Sequence, residues 1–368
     1  MKRTTIITLC LALATGTASA QTATTTDKNL FNHMDLGVTL GSTGFGLDIT
    51  MPAGEYVKLR TGFTYMPHFT KNMHFGVQVG NETDPAEQAR RFNNLADFLE
   101  GFTGYRAQSS ICMEGKPKFN NFKLLVDVFP FKENKHWHFT AGFYAGRTKI
   151  ADAINTQADM PSLMAMNIYN SIYWNVYNEQ DVISYNGTGG ELPPSLSARI
   201  LKYGEMGMRI GEFKHDFYAT QDIYYTHDVY DKDQFEVDEE GNFINYKLIH
   251  KKGDIQYRKG ELMYHAGDTY RMMPDQNMMV KARALVNAFR PYLGVGYNSV
   301  ITKDKRTTLA VDCGIMMWGG SPKIITHDGV DMLHDLTNVN GQVGDILRVI
   351  NRFPIYPVLE LRITRKLF

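Results

Sequence analysis

Apolar and polar residues alternate with a period of two along several short segments of this chain. Residues 34–66, MDLGVTLGSTGFGLDITMPAGEYVKLRTGFTYM, hold three such runs, separated by the turns STG and PAGE. Strict alternation predicts strands with one apolar face and one polar face. The first part of the chain is therefore predicted to form consecutive antiparallel strands.

Later runs extend the same pattern and bring the predicted number of strands to ten. These runs lie at residues 122–129, 137–146, 201–210, 217–230, 291–301, 307–318 and 356–368. The run at 217–230 is the weakest, so eight and twelve strands stay open as alternatives. An even number is expected when both ends of a barrel chain lie on the same side of the membrane.

Alternating strands fit both a soluble sandwich and a transmembrane barrel. Charges and small residues share the polar face, the apolar face is aromatic near the strand ends, and short turns alternate with long connections, all of which favour a barrel. The predicted fold class is all-β, a closed antiparallel transmembrane barrel with short helices in its extracellular loops. These loops are expected near residues 67–118, 147–199, 231–290 and 319–355, opposite periplasmic turns PAGE, FKENK, GEFKH and TKDKR.

The N-terminus has the features of an export signal. Residues 1–20, MKRTTIITLCLALATGTASA, combine a basic start, an apolar core and a small-residue cleavage site, which predicts cleavage between Ala20 and Gln21. Residues 21–32 are read as a flexible periplasmic leader and residues 33–368 as the barrel. Export together with a barrel predicts the outer membrane of a Gram-negative bacterium.

The C-terminus, PVLELRITRKLF, ends within an alternating strand. In lipid every strand edge must be paired, so the last strand is expected to close the barrel against the first. Leu367 and Phe368 are predicted to form the signal for the barrel assembly machinery. Phe368 shares the face of Glu360 and Arg362, so either a bulge near Arg365 shifts the register or the last two residues are read together.

The opening strands, the run FRPYLGVGYN at 289–298 and the terminal PVLELRITRKLF resemble outer-membrane β-barrel proteins of the Bacteroidetes, a family of uncharacterised function. The resemblance covers the strands and leaves the long loops unmatched. It implies an outer-membrane location and a small antiparallel barrel, and it transfers no catalytic residues.

The charge balance and the cysteine content exclude two classes of protein. Without Lys2 and Arg3 the chain holds 37 basic and 39 acidic residues, a balance that argues against nucleic acid as a partner. Cys112 and Cys313 are too few for a disulfide framework.

Charged residues recur on the inward faces of the predicted strands. A small barrel admits only side chains or one small ligand, and charges in such a space must be paired. We therefore predict an ion-pair network that closes the lumen. Its members are Asp35, Asp48, Lys58, Arg60, Lys123, Asp127, Glu205, Arg209, Asp312, Glu360 and Arg362. These pairs either hold the barrel together or line a selective conduit.

The outer loops carry helix signals and one unusually apolar segment. Thr83 or Asp84, followed by Pro85, predicts a helix start, and Gly101 or Gly104 predicts its end, while GDILRVINRF predicts a second helix. The Met- and Tyr-rich loop 160–185 either packs with these helices as a cap or exposes a patch for a ligand or protein partner. The acidic stretch 228–242 is read as a solvated hairpin rather than a calcium loop.

The sequence predicts no enzyme and no catalytic, cofactor-binding or metal-binding residues. The pairs His227–Asp228 and His327–Asp328 fit no catalytic motif. The predicted function is a structural or surface-binding role in the outer membrane with a charge-closed lumen. The alternative is a narrow channel or transporter for small hydrophobic solutes. The expected partners are outer-membrane lipid, the barrel assembly machinery and a surface ligand or protein at residues 160–185.

Overall fold

A computed structural model describes most of the chain between Phe31 and Leu367. The described residues are 31–131, 134–177, 183–185, 188–190, 194–225, 229–237, 239, 243–251, 253–275, 277–339, 341–352 and 354–367. The predicted signal peptide, its cleavage site at Ala20 and Gln21, and Phe368 lie outside these residues.

Within the described residues, four α-helices and a short 3₁₀-helix (Gln157–Asp159) are interspersed among the strands. The first half holds β1 (Asp35–Gly41), β2 (Gly44–Pro52), β3 (Val57–Tyr65), β4 (Lys71–Val79), α1 (Pro85–Thr103), β5 (Ser110–Pro117), β6 (Asn121–Val128), β7 (Trp137–Gly146), β8 (Lys149–Asn155), α2 (Met160–Tyr177), β9 (Ile183–Tyr185), β10 (Thr188–Gly190) and α3 (Pro194–Tyr203). The second half holds β11 (Met206–Phe213), β12 (Phe217–Tyr218), β13 (Ile223–Tyr224), β14 (Val229–Val237), β15 (Phe243–His250), β16 (Ile255–Tyr257), β17 (Leu262–Tyr264), β18 (Thr269–Met272), β19 (Lys281–Leu285), β20 (Phe289–Val300), β21 (Thr307–Met317), β22 (Lys323–Thr326), β23 (Leu336–Thr337), α4 (Gly341–Arg352) and β24 (Ile355–Lys366).

Eight strands form a closed antiparallel barrel in the order β1-β2-β3-β6-β7-β20-β21-β24. β24 pairs with β1 without a register shift, from Gly41 opposite Glu360 to Asp35 opposite Lys366. The predicted closure of the last strand on the first is therefore confirmed. The bulge considered near Arg365 is absent from this pairing, because the register advances one residue at a time through Lys366.

The prediction of ten barrel strands was wrong, since the runs at 201–210 and 217–230 lie outside the barrel. The first run forms the end of α3 and the start of β11, and the described residues 217–225 of the second run hold the short strands β12 and β13. Nearly every residue of β11 is buried, as expected for a strand that is covered on both faces by other parts of the protein. Alternation alone does not distinguish a barrel wall from such a strand. The GEFKH turn therefore lies outside the barrel, and the loops predicted at 147–199 and 231–290 belong to one connection.

All long connections leave the barrel at one end. Residues 66–120, 147–288 and 318–354 connect strands there, which we call the cap end. The turns at 53–56, 129–136 and 301–306 lie at the opposite end, which we call the turn end. Both ends of the barrel chain, at Asp35 and Lys366, meet at the turn end.

The long connections fold into a second sheet, the cap sheet, in the order β18-β11-β4-β5-β8-β19-β22, with β23 added to β11. β4, β5, β8, β19 and β22 are each next in the chain to one of the barrel strands β3, β6, β7, β20 and β21. They pair in the same order as those neighbours. Five strands of the barrel wall thus continue outward beyond the barrel, and β11 and β18 extend the sheet sideways.

The cap has its own hydrophobic core, built from the cap sheet and the helices. α1 begins and ends as predicted: the Asp84 carboxylate accepts a hydrogen bond from the Ala86 amide, and Gly104 ends the helix with a φ of 75°. Leu95 and Leu99 of α1 are buried in the same cluster as Tyr169 of α2. None of the described helices is long and apolar enough to cross a membrane.

The Met- and Tyr-rich segment, predicted as a loop, is largely the helix α2. Leu163, Met166, Tyr169 and Ile172 are buried in the cap core. Its apolar residues surround the helix rather than forming one stripe, as expected for a helix packed on several sides. The acidic stretch predicted as a hairpin contains β14, which pairs antiparallel with β15.

Gly296 tests how tightly the barrel interior is filled. A Cβ atom at Gly296 would collide with the ring of His138 and the carboxylate of Asp312 on the neighbouring strands. We expect Gly296→Ala to lower the free energy of unfolding by about 1–3 kcal/mol because the crowded lumen must shift. Urea unfolding of detergent-refolded protein, followed by tryptophan fluorescence, measures this change.

The matched control is Gly101→Ala on the exposed face of α1, where a Cβ atom would meet nothing within 4 Å. This change is expected to stabilise the protein by about 0.5–1 kcal/mol through helix propensity. An unchanged midpoint for Gly296→Ala would contradict the crowded interior.

Candidate functional site in the barrel lumen

The barrel has a charged interior and an apolar exterior. Asp48, Arg60 and Lys123 point inward and are fully buried. Large apolar side chains are exposed on all eight strands. They include Leu36, Val38, Leu40, Phe45, Leu47, Ile49, Phe63, Phe122, Val126, Trp137, Phe139, Leu293, Val295, Val311, Ile315, Leu359, Leu361 and Ile363. The usual relation between apolar residues and the protein interior is therefore inverted in the barrel.

Arg60 of β3 is the centre of the lumen. Its Nη1 donates to Asp312 Oδ2 and its Nη2 to Asp127 Oδ1, each over 3.0 Å. The Thr140 hydroxyl also donates to Asp127 Oδ1, over 2.7 Å, and Arg362 Nε donates to Asp312 Oδ2 over 3.3 Å. These side chains come from five different strands, so the cluster ties the barrel walls together across the lumen.

Lys123 forms a second charged cluster in the lumen. Its ammonium lies 2.9 Å from Asp48 Oδ2 and also contacts the Glu360 carboxylate. All three side chains are buried almost completely. Since β2, β6 and β24 supply them, this ion pair also bridges the lumen rather than neighbouring positions on one strand.

His138 is a member of this site that the sequence analysis did not assign to it. The residue follows Trp137, and its ring is fully buried with Nε2 2.7 Å from Asp312 Oδ1. The signal was present in the strand pattern, because His138 is in phase with the inward residue Thr140.

Two members of the predicted network lie elsewhere, and their assignment to the lumen was wrong. Glu205 precedes β11 in the cap, where it accepts from Trp174 Nε1 over 2.9 Å and lies 3.6 Å from Arg271. Arg209 lies in the cap sheet and pairs with Glu212 over 2.9 Å. The cause is the misassigned strand at 201–210, which belongs to the cap sheet.

Asp35 and Lys58 form a looser pair near the turn end. Their charged atoms are 3.5 Å apart, and the Lys58 side chain is 36% exposed. A cavity of about 400 Å³ opens beside them and is lined in part by His33, Phe129 and His136. This pair therefore lies in a wetter environment than the two buried clusters.

Aromatic and aliphatic side chains fill the lumen between the charges and the cap. The rings of Tyr144 and Tyr292 contact each other at a centroid distance of 5.4 Å, and Leu125 and Met316 pack in the same cluster. Phe119 meets Trp318 and Tyr356 at 5.9 and 5.2 Å. We call these residues the aromatic layer. The lumen is thus occupied by two layers in series.

The pair His327–Asp328 lies in the cap and serves its packing. Both Asp328 oxygens accept from the Tyr270 hydroxyl, 2.8 Å away. Burial raises the pKa of Tyr270 well above its ordinary value, so the hydroxyl stays a donor. His227 and Asp228 lie outside the described residues. Within the described part of the chain no group of three or more His, Cys, Asp or Glu is arranged to hold a metal.

Comparisons with known proteins add little to this geometry. No family model and no curated protein matches the chain. Among solved structures, Acinetobacter baumannii CarO2 is 11% identical with a TM-score of 0.34 and covers 91% of this chain and 98% of its own. CarO from the same organism is 11% identical with a TM-score of 0.31, over 90% of this chain and 96% of its own.

Such low TM-scores carry no argument about this chain, so the class of protein follows from its own strand pairing. That pairing defines a closed eight-stranded antiparallel barrel with a folded cap. The resemblance to the Bacteroidetes family stays a prediction.

Arg60→Met tests the buried cluster. The change removes a guanidinium from between Asp127 and Asp312 and leaves their charges poorly compensated in a dry interior. We expect the free energy of unfolding to fall by about 3–5 kcal/mol, because an uncompensated buried charge is strongly destabilising. Urea unfolding in detergent micelles measures the loss.

Lys58→Met is the matched control, since it also removes a cation from β3 but at a partly exposed position. Its loss is expected to stay below about 1 kcal/mol. Equal losses of unfolding free energy for the two variants would contradict the expected effect of burying the Arg60 ion pairs.

Proposed function

We propose that this protein is an integral outer-membrane barrel. The apolar exterior supports this proposal, because soluble monomers rarely expose continuous apolar patches beyond a few hundred Å². We call the exposed apolar side chains around the barrel the apolar belt. Aromatic pairs flank this belt: the ring centroids of Trp137 and Tyr297 lie 5.1 Å apart near the turn end, and those of Phe143 and Phe289 lie 4.8 Å apart near the cap end. Such aromatic girdles are typical of transmembrane barrels.

Within that location, we propose a structural or surface-binding role with a lumen closed to solutes. The observation that carries this proposal is the fully buried Arg60, held between Asp127 of the neighbouring strand β6 and Asp312 of β21 across the lumen. An ion crossing the lumen would have to separate these charges and then the aromatic layer. The lumen therefore offers no continuous path of water through these two layers, unlike the lumen of a porin.

A narrow path for small hydrophobic solutes is the weaker alternative. A hydrophobic solute would have to pass Arg60 and Lys123, both fully buried with carboxylate partners. Separating these ion pairs without new partners is costly, and an apolar solute supplies none. The cavity beside Lys58 opens near the turn end, so a solute that enters it does not pass the buried charged clusters.

The proposed binding surface is the exposed part of α2. Most of this helix is buried, but Met164, Trp174 and Tyr177 keep 50%, 40% and 58% of their surface exposed. The Trp174 ring contacts Tyr173 at 5.3 Å and Tyr177 at 5.4 Å, which makes a small aromatic platform. Such a platform suits a ligand or protein partner with flat apolar faces.

At the other end of the barrel, the exposed Leu367 fits the proposed recognition by the assembly machinery.

Single-channel recording in planar bilayers tests the closed lumen. We expect wild-type protein to be silent because the charged clusters and the aromatic layer block the lumen in series. Arg60→Ala with Lys123→Ala removes the central cation of each buried charged cluster and opens only the first layer. Tyr144→Ala with Tyr292→Ala opens only the aromatic layer. Stable conductance is expected when all four changes are combined.

The control is Arg90→Ala, at an exposed residue of α1 whose ion pair is with Glu87 of the same helix. Its recordings should match those of the wild type. Stable unitary conductance of the wild-type barrel would favour the channel over the binding role.

A further inference from the structure

Three side chains of the cap form a chain of hydrogen bonds outside the lumen. Ser321 Oγ lies 2.7 Å from His334 Nε2, and His334 Nδ1 lies 2.8 Å from Asp331 Oδ2. This order of hydroxyl, imidazole and carboxylate is that of a nucleophile, a general base and the group that orients the base. The proposed binding role makes no use of it.

The carboxylate end of the chain is held firmly in place. Asp331 is buried, and its Oδ1 accepts from the backbone amides of Ile324 and Leu333 over 3.2 and 3.1 Å. Its Oδ2 is thereby directed at His334. A carboxylate at Nδ1 favours the tautomer with the proton on that nitrogen, which leaves Nε2 to accept the hydroxyl proton.

The hydroxyl end is open to solvent. Ser321 and the preceding Gly320 are exposed, whereas Asp331 at the other end is buried. Gly319 has a φ of 74°, and a Cβ atom there would collide with the Phe289 carbonyl. The two glycines thus turn the chain sharply after β21 and present Ser321 at the surface.

The position of Ser321 points to the kind of substrate. The turn at Gly319 packs against Asn287 and Phe289, and Phe289 is an outward residue of the belt at its cap end. Ser321 follows two residues later, so it lies close to the rim where the apolar belt ends. In a bilayer this is the level of the headgroups, where the ester bonds of acyl lipids lie.

We propose that Ser321, His334 and Asp331 form a hydrolytic site for carboxylic esters of membrane lipids. Ser321 Oγ attacks the ester carbonyl carbon and passes its proton to His334 Nε2. The carbon–oxygen bond to the alcohol breaks, and the alcohol leaves with the proton from His334. Water then attacks the acyl-serine, His334 takes a proton from that water, and the proton returns to Ser321 as the carboxylic acid leaves.

Sequence motifs did not find this site because Ser321, Asp331 and His334 follow no known catalytic spacing. Triads are recognised by geometry rather than by sequence position. The inference therefore departs from the prediction that the protein is no enzyme, and it stands apart from the closed lumen.

The test uses the full chain in detergent micelles, with a fluorophosphonate probe and p-nitrophenyl laurate as ester. We expect the probe to attach to Ser321, as located by peptide mass spectrometry, and the laurate ester to be hydrolysed. Ser321→Ala should abolish labelling and lower hydrolysis by roughly 10³-fold or more. His334→Gln should lower both while leaving Ser321 in place.

The matched control is His215→Gln, whose exposed ring lies 3.5 Å from Asp335, the residue after His334. It should keep wild-type labelling and hydrolysis. Absence of probe on wild-type Ser321, or equal hydrolysis by wild type and Ser321→Ala, would overturn the site. Hydrolysis of p-nitrophenyl acetate without hydrolysis of the laurate ester would overturn the lipid substrate class.

Discussion

The fold depends on one requirement: charges inside a narrow barrel must meet partners inside it. Arg60 meets this requirement by donating to Asp127 and Asp312, whose strands lie on different sides of the lumen. The bond to Asp127 joins β3 to its neighbour β6, and the bond to Asp312 crosses the lumen to β21, so both neighbouring and distant strands are held in one register. A slip of one residue would turn Arg60 toward the apolar surroundings and Phe63 or Leu59 toward the charges.

The same requirement explains why small residues share the inward face with the charges. Glycine opposite Asp312 makes room for the His138 ring, and the alternation of large charged and small side chains lets the clusters fill the interior. Above the charges, the aromatic layer separates this interior from the cap. The barrel is therefore solid across much of its length, which is the physical basis of the proposed closed lumen.

The cap shows how one chain forms two environments from continuous strands. β3 leads into β4 and β7 into β8, so the barrel wall passes directly into a sheet with a buried apolar core. In the barrel the apolar face points outward, whereas in the cap it is covered by α1 and α2. The change takes place within a few residues, and it brings polar groups of the connections, including Ser321, to the rim of the apolar belt.

Local pattern located the eight strands that line the barrel, though it added two runs that do not, and it gave the direction in which the charges of those eight strands point and the N-terminal capping of α1 by Asp84. These features follow from a period of two and from the chemistry of a helix start, which depend on residues close in sequence. Tertiary structure alone decided that residues 201–210 join the cap sheet, that His138 pairs with Asp312, and that Ser321 meets His334. The reason is physical: alternation reports that a strand has two different faces, but which partner covers each face is set by residues far away in the chain.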